Sequence, residues 1–253
     1  PPGEQLAIST DTLVAGVHFA DPCDPFLLGQ RSLAVAVSDL AAMGANPLAF
    51  TLALTTPTVD ADWLQRYAQG LNAMAQGCGV VLVGGDTTRG PLSLTMTVFG
   101  RVPAGQALTR SGARPGDLLC VGGELGNAAG ALPLVLGQRT AEAAIAEPLL
   151  AHYWSPQPQL ALGLALRGKA TSAMDISDGL LADCGHIAKA SAVSLLIEQQ
   201  KLPLSAALLA FVGEADARVA ALSGGDDYVL AFTLPPAELA PLLAAGVPVH
   251  VIG

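Results

Sequence analysis

The sequence predicts an α+β protein with two domains. Short apolar runs typical of strands alternate with segments of helical periodicity, and the runs at 80–85 and 93–99 follow each other with no helix between them. This order departs from a regular series of strand–helix–strand units. A segment rich in Gly, Pro and Arg at 101–115 is typical of a domain connection. We therefore expect domains at 1–105 and 106–253.

Hydrophobic periodicity predicts four strands and two helices in the first domain. The longer helix has apolar residues at helical spacing, and Gly44 follows it as a terminating glycine would. Asp60 is the expected N-cap of the second helix. The apolar run that starts at Val80 predicts a buried strand, which ends in a Gly-Gly-Asp turn. The expected strands are 6–9, 48–54, 80–85 and 93–99, and the expected helices are 26–43 and 60–76.

The second domain has weaker periodicity but clear turn signals. Strands are predicted at 117–121, 228–234 and 247–252, and Ser177 or Asp178 is expected to cap a helix that reaches Ala190. The glycine-rich segment 122–130 opens another helix. Such a turn can bind phosphate through its N–H groups, and it can equally serve close helix packing through small residues.

Composition restricts the classes of partner. A net charge of −9 argues against nucleic acid and against an anionic membrane surface. The cysteines are scattered without metal-ligand spacing, which predicts reduced thiols in a reducing compartment. No signal peptide and no membrane-length apolar run is visible, so we expect a cytoplasmic protein. The chain starts without Met and ends within a predicted strand, so we also expect both ends to be cut.

Half of the fourteen aspartates occupy acidic turns or an apolar helix face. Carboxylates at loop and strand ends suit hard divalent cations, and the few dispersed histidines argue against zinc. Asp39 lies on the same helix face as Val35 and Met43, where an isolated carboxylate is costly unless something binds it. The alternative is that each acid is a separate cap or turn. The aspartates concerned are Asp11, Asp39, Asp86, Asp175, Asp178, Asp226 and Asp227.

Several cations beside glycine-rich turns indicate nucleotide phosphates as the ligand. Arg89 and Arg110 would add positive charge to phosphate oxygens, or would simply be solvated. The chain lacks a Walker pattern and the motif set of protein kinases. A different class of phosphoryl-transfer enzyme is therefore expected.

Five motifs together resemble the thiamine-monophosphate kinase family. Any one of them alone would be unspecific, but together they span nearly the whole chain. The wider superfamily includes aminoimidazole ribonucleotide synthetase, selenophosphate synthetase and a hydrogenase maturation protein. The motifs lie at 8–19, 38–45, 84–90, 108–113 and 175–180.

The resemblance implies transfer of the γ-phosphoryl group of ATP to thiamine monophosphate, which gives thiamine diphosphate, assisted by several Mg²⁺ ions. It implies a homodimer in which N-terminal α/β domains join their mixed sheets near the ATP site, and a C-terminal domain that is an α/β sandwich. By motif match, His18 and Asp226 would contact the thiamine substrate. The ATP contacts would be Gly85, Asp86, Arg110 and Ser177. The Mg²⁺ ligands would be Ser9, Thr10, Asp11, Asp39, Asp86, Asp175 and Asp178.

The sequence departs from the family pattern in two respects. The last motif reads Gly-Gly-Asp-Asp-Tyr at 224–228 where the family has Glu in third place, so Asp226 is one methylene shorter. A Gly-Asp-Asp metal motif expected before Pro1 and an aromatic substrate residue expected after Gly253 are not in this sequence. The competing hypotheses are another ATP-using member of the superfamily, such as an amidine-forming synthetase, and a non-catalytic nucleotide- or metal-binding module.

Overall fold

Two four-stranded β-sheets, one in each half of the chain, form the framework. The computed structural model of the chain describes residues 2–253. The first sheet contains β1 to β4 and the second contains β5 to β8, so the sheets lie on either side of residue 105. The predicted α+β class is confirmed.

The first sheet is mixed and has the order β1-β4-β2-β3. β2 and β3 are parallel, whereas β4 is antiparallel to both of its neighbours. One face of β4 is buried and the other is half-exposed, as its alternation of apolar and polar residues predicts. The elements of this half are β1 (Glu4–Val14), α1 (Pro25–Ala42), β2 (Asn46–Thr56), α2 (Ala61–Cys78), β3 (Val81–Arg89) and β4 (Ser93–Pro103).

Helix α1 is largely buried and lies between the two halves. Asp24 caps it by accepting the N–H of Phe26 at 2.8 Å, with Pro25 in the first helical position. Its neighbour α2 approaches very closely, because a Cβ on Gly70 would lie 1.9 Å from the carbonyl oxygen of Phe26. α1 also contacts β4, β6 and α5, so it places its side chains against both sheets.

The second sheet is antiparallel, with the order β6-β7-β5-β8. β7 is central and entirely buried. The strands are β5 (Leu118–Val121), β6 (Ser172–Asp175), β7 (Leu230–Leu234) and β8 (His250–Val251). The helices are α3 (Asn127–Val135), α4 (Ala143–Trp154), α5 (Leu160–Leu166), α6 (Leu180–Ser191), α7 (Ala206–Val212), α8 (Glu214–Ser223) and α9 (Pro236–Ala244).

Two sequence expectations about the first half are wrong. Asp11 and Asp86 were expected in turns, but both lie within regular strands, since β1 continues to Val14 and β3 to Arg89. The run from Val81 was expected to be buried, yet every residue of β3 is exposed, because β3 is an edge strand. Apolar composition alone does not distinguish a buried strand from an exposed edge strand.

The four cysteines are free thiols, as predicted, and burial raises the pKa of Cys120 and of Cys184 to about 12. Across residues 2–253, no helix combines the length and the apolar character that crossing a membrane requires.

Candidate functional site

Four predicted site residues line one cleft between the two halves of the molecule. Ser9 on β1, Asp39 on α1, Arg110 in the connection and Asp175 at the end of β6 surround a cavity of about 250 Å³. Arg110 is exposed, whereas Asp175 is only 7% exposed. The cleft therefore brings together a cationic group, the half-buried Asp39 and the buried Asp175, although they are far apart in sequence.

Asp39 is the electrostatic centre of this cleft. Its carboxylate accepts a hydrogen bond from the hydroxyl of Ser9. Burial, and secondarily the charge of Asp39, raises the pKa of Asp11 to about 6. The same two causes raise the pKa of Asp175 to about 7. Asp39 thus lies among acids and a hydroxyl group, so its position on the same helix face as Val35 and Met43 has an explanation beyond solvation.

Asp175 joins this group through the residue that precedes Asp39. The hydroxyl of Ser38, which is fully buried on α1, donates to Oδ2 of Asp175 at 2.7 Å. Ser38 and Asp39 are consecutive residues of α1. Ser38 contacts Asp175 in the second half of the chain, and Asp39 contacts Ser9 in the first half. These contacts fix the end of β6 relative to β1.

The turn after β6 is organised by Asp183, a residue that the sequence analysis missed. Its Oδ2 accepts the N–H groups of Ser177, Asp178 and Gly179 at 3.0–3.2 Å, and its side chain is buried. The expectation that Ser177 or Asp178 caps α6 is wrong, since the cap position is Gly179 and no side chain caps it. An acid in the first turn of a helix is the signal that would have identified Asp183.

Asp226 has an unusual backbone conformation and a charged partner. Its φ is 68° and that of Tyr228 is 50°, both in the left-handed region that non-glycine residues rarely occupy. Two backbone bonds fix this segment to the preceding motif, from Asp226 N to Ser177 O at 2.9 Å and from Tyr228 N to Ile176 O at 2.8 Å. The predicted substrate acid and the predicted ATP residue Ser177 are therefore neighbours.

The glycine-rich turn before α3 is already filled by a side chain. Both carboxylate oxygens of Asp227 accept the N–H of Gly126, at 3.0 and 2.8 Å, and Asp227 also accepts from Asn127 and Ala128. Burial raises the pKa of Asp227 to about 8, although these N–H groups oppose the shift. A Cβ on Gly126 would lie 2.6 Å from the Ala221 nitrogen. The turn thus serves an internal carboxylate and close helix packing, the second of the two interpretations given above.

His18, the other predicted substrate residue, is exposed at the end of the first motif. Its Nδ1 accepts the N–H of Val14 at 3.0 Å. The Tyr153 hydroxyl approaches the carbonyl oxygen of His18 at 3.4 Å, and the Tyr153 carbonyl accepts from Arg31 at 2.6 Å. Since Arg31 also pairs with Asp226, these contacts connect the predicted substrate residues.

Three predicted site residues do not reach the cleft by their side chains. Thr10 points to the opposite face of β1 from Ser9 and bonds the hydroxyl of Thr97 at 3.0 Å. Asp86 lies on β3, three strands away from β1, which corresponds to about 14 Å. Gly85 has a packing role, since a Cβ there would lie 1.9 Å from the Leu52 oxygen.

The site has the ligand chemistry of a hard cation but no complete protein cage. Among residues 2–253, no three His, Cys, Asp or Glu side chains are grouped so as to hold a metal ion by themselves. Mg²⁺ is commonly held by one or two carboxylates and completed by phosphate oxygens and water. The pairs that Asp39 forms with Asp11 and with Asp175 fit that type of site.

The N-terminal part of the chain is similar to proteins related to AIR synthase. Residues 1–102 match the family model described as AIR synthase related protein, N-terminal domain. The thiamine-monophosphate kinase of Salmonella typhimurium is 46% identical over 258 residues, covering 100% of this chain and 79% of the relative. The chain belongs to the thiamine-monophosphate kinase family.

Solved structures agree with this assignment. The crystal structure of thiamine-monophosphate kinase from Stenotrophomonas maltophilia has a TM-score of 0.95 and 44% identity, covering 100% of this chain and 83% of that one. The structure of AaThiL complexed with AMPPCP and TMP has a TM-score of 0.93 and 29% identity, covering 100% and 81%. The similarity therefore extends over both sheets and the cleft between them.

Proposed function

We propose that this chain phosphorylates thiamine monophosphate to thiamine diphosphate, with ATP as the phosphoryl donor. The observation that carries the proposal is the cleft in which Ser9, Asp39, Arg110 and Asp175 meet, in a chain of this family. The related AaThiL complex contains AMPPCP, an analogue of ATP, together with TMP. The reaction is a direct transfer in which the protein mainly orients the phosphates and balances their charge.

We propose that the acids of the cleft bind Mg²⁺ together with the nucleotide. Asp39 with Asp11, and Asp39 with Asp175, would each supply carboxylate oxygens, assisted by Ser9 and by the exposed Asp178. When bound, the cations would neutralise charge on the phosphate oxygens. Burial, and secondarily the charge of Asp39, raises the pKa of Asp11 and of Asp175, and a bound cation would stabilise their ionised forms against both effects.

Nucleotide and acceptor would enter from two adjoining sides. Arg110 would contact the phosphates of ATP as a flexible, exposed cation, and the turn at Ser177 would supply hydroxyl or backbone groups. His18 and Asp226 would contact thiamine monophosphate. The proximity of Ser177 and Asp226 through the Asp226 N–H supports this arrangement, since donor and acceptor phosphates must meet between them.

We further propose a homodimer in which the N-terminal sheets of two copies join. Leu6 and Ile8 of β1 and the run 81–83 of β3 are more than half exposed, which is an unusual amount of apolar surface for a free sheet. Joining two sheets would cover it. Asp86 is far from the cleft of its own chain. In the dimer it would lie at the cleft of the second copy and contribute its carboxylate there. The residues 1–105 would then form the assembly domain, and 106–253 the domain that carries Asp175 to Asp226.

The free thiols agree with a cytoplasmic location for this enzyme.

A transfer assay with γ-labelled ATP and thiamine monophosphate tests the activity. Appearance of labelled thiamine diphosphate is the expected result. Turnover of a formylglycinamidine substrate instead would identify an amidine-forming synthetase. ATP binding without transfer to either acceptor would identify a binding module. Each of these two results would overturn the proposed kinase activity.

Mixing two inactive variants tests the role of Asp86 across the dimer. Asp39→Asn and Asp86→Asn would each be inactive alone. If one site uses Asp39 of one copy and Asp86 of the other, a mixed dimer keeps one intact site, and an equal mixture after subunit exchange recovers about one quarter of wild-type activity. No recovery in mixtures with proven exchange would mean that both acids serve the same chain's cleft.

A further inference from the structure

Arg31 is a fully buried cation on α1 that no motif of the sequence analysis includes. Its side chain is 1% exposed, and a buried charge is costly unless it is paired. One amino group donates to the Tyr153 carbonyl at 2.6 Å, and the guanidinium carbon lies 4.1 Å from the centre of the Tyr153 ring. The other amino group pairs with Oδ1 of Asp226 at 2.8 Å. Arg31 therefore connects the first half of the chain with two elements of the second.

The two side-chain donors to Asp226 converge on a single oxygen. Besides Arg31, the Tyr228 hydroxyl donates to Oδ1 at 2.9 Å. Among residues 2–253, none donates to Oδ2, and the Asp226 side chain is 34% exposed. The carboxylate is thus fixed at one oxygen and available at the other, with its negative charge balanced by Arg31.

We propose that Arg31 positions Asp226, so that Oδ2 accepts a hydrogen bond from an N–H group of the acceptor substrate. The inference rests on the proposed function and names a residue that acts on substrate binding without touching the substrate. A neutralised carboxylate with one free oxygen suits a directional N–H donor, such as an aromatic amine, better than a bare cation. The shorter side chain of Asp226 makes this support necessary, because a carboxylate close to its own backbone has few orientations that reach a ligand.

An unsatisfied group supports a role beyond stability. Nε of Arg31 is buried and has no hydrogen-bond partner among the described residues. Such orphaned donors are rare in folded proteins and occur where a local rule is broken for function. Asp226 and Tyr228 have left-handed backbone angles at the same place, which is a second departure of this kind.

Arg139 provides a matched control. Its guanidinium carbon lies 4.0 Å from the centre of the Phe211 ring, and it donates to the Phe211 carbonyl at 2.8 Å. These contacts resemble those of Arg31 with Tyr153, but Arg139 is exposed and has no carboxylate partner among the ion pairs of the described residues. Loss of Arg139 should therefore affect stability without affecting the acceptor.

Steady-state kinetics of R31M, R31K and R139M test the proposal. R31M should raise KM for thiamine monophosphate about tenfold, the effect of losing a hydrogen bond to a charged group, with KM for ATP within twofold of wild type. R31K keeps the charge but not the planar donor geometry of Arg, so it should recover only part of the loss. R139M should lower Tm but leave both KM values unchanged.

A double-mutant comparison separates positioning from a merely structural role. If Arg31 acts through Asp226, adding R31M to D226A should not raise KM for thiamine monophosphate further. Additive effects, or a wild-type KM in folded R31M, would overturn the proposal. If R31M does not fold, the test passes to R31K, for which KM for thiamine monophosphate should stay above that of wild type. A wild-type KM in folded R31K, with a loss of Tm alone, would likewise overturn the proposal. Failure of wild-type protein to phosphorylate thiamine monophosphate would instead refute the proposed function, so the two failures are distinguishable.

Discussion

Replacement of Asp39 by Asn is expected to stabilise the metal-free protein while reducing its activity. Asn keeps an oxygen that can accept the hydrogen bond from Ser9 and removes the charge that raises the pKa of Asp11 and of Asp175. The wild-type carboxylates repel each other when no cation is bound, and the variant relieves that repulsion.

The size of the effect follows from the pKa shifts. Asp175 rises from 3.8 to about 7, mainly through burial and secondarily through Asp39. If Asp39 accounts for about one pKa unit at Asp175 and less at the more accessible Asp11, the gain is about 1–2 kcal/mol. For a protein of this size the corresponding rise in Tm is roughly 2–6 °C.

The effect should grow with pH. A folded pKa of about 7 against 3.8 means that the folded state retains a proton that the unfolded state has lost, so the stability due to Asp175 falls as pH rises from about 4 to 7. At pH 5.5 Asp175 is largely protonated, and the repulsion is small. Thermal unfolding in EDTA at pH 5.5 and pH 8 should therefore give a small difference between variant and wild type at the lower pH and the full difference at the higher.

Glu147→Gln is the control for the charge change, because Glu147 is exposed within α4 and outside the cleft. It should leave Tm and its pH dependence unchanged. An Asp39→Asn protein that is no more stable than wild type at pH 8 would refute the reasoning, and would mean that the ionised carboxylate stabilises the fold through Ser9.

Three further predictions address the remaining parts of the site. Asp86→Asn should reduce turnover at saturating Mg²⁺ about 100-fold or more with little change in Tm, since Asp86 is exposed and makes no core contact; wild-type turnover would exclude it from the site. Asp183→Ala leaves three N–H groups without their acceptor and should cost about 1–3 kcal/mol in urea unfolding and weaken ATP binding, whereas loss of stability with unchanged ATP affinity would separate the turn from the nucleotide. ATP affinity by titration calorimetry should be negligible in EDTA and rise steeply with Mg²⁺, because ATP carries about −4 charges and each uncompensated pair with a carboxylate at about 5 Å costs roughly 3 kcal/mol; affinities within threefold of each other would mean that the acids do not face the phosphates.

The sequence was sufficient for much of the fold and for part of the site. Helical periodicity and caps gave α1 and α2 to within two residues, since both depend on local patterns such as the Asp60 cap. The assembly of Ser9, Asp39, Arg110 and Asp175 was predictable only through the resemblance of several motifs. No local sequence pattern indicates which strands and helices contact each other in the fold.

Buried partners were the least predictable part. Arg31 and Asp183 read as ordinary charged residues in the sequence, and Asp227 was expected among the acids suited to cations. The contacts of all three depend on groups that are distant in the chain or on turn geometry. The exposure of β3 was missed for a related reason. An apolar strand sequence predicts that the strand is covered by another surface, but it does not indicate whether that surface belongs to the same chain.

The exposed edge of β3 is also a potential site of aggregation. The run from Val80 to Gly85 is uncharged, lacks Pro and is rich in β-branched residues, which is the composition that favours aggregation when an edge is open. The first charge after it is Asp86, so this acid also acts as a gatekeeper against the addition of foreign strands. We expect the chain to be most prone to aggregation at this edge, and an isosteric change that neutralises Asp86 removes the nearest electrostatic protection.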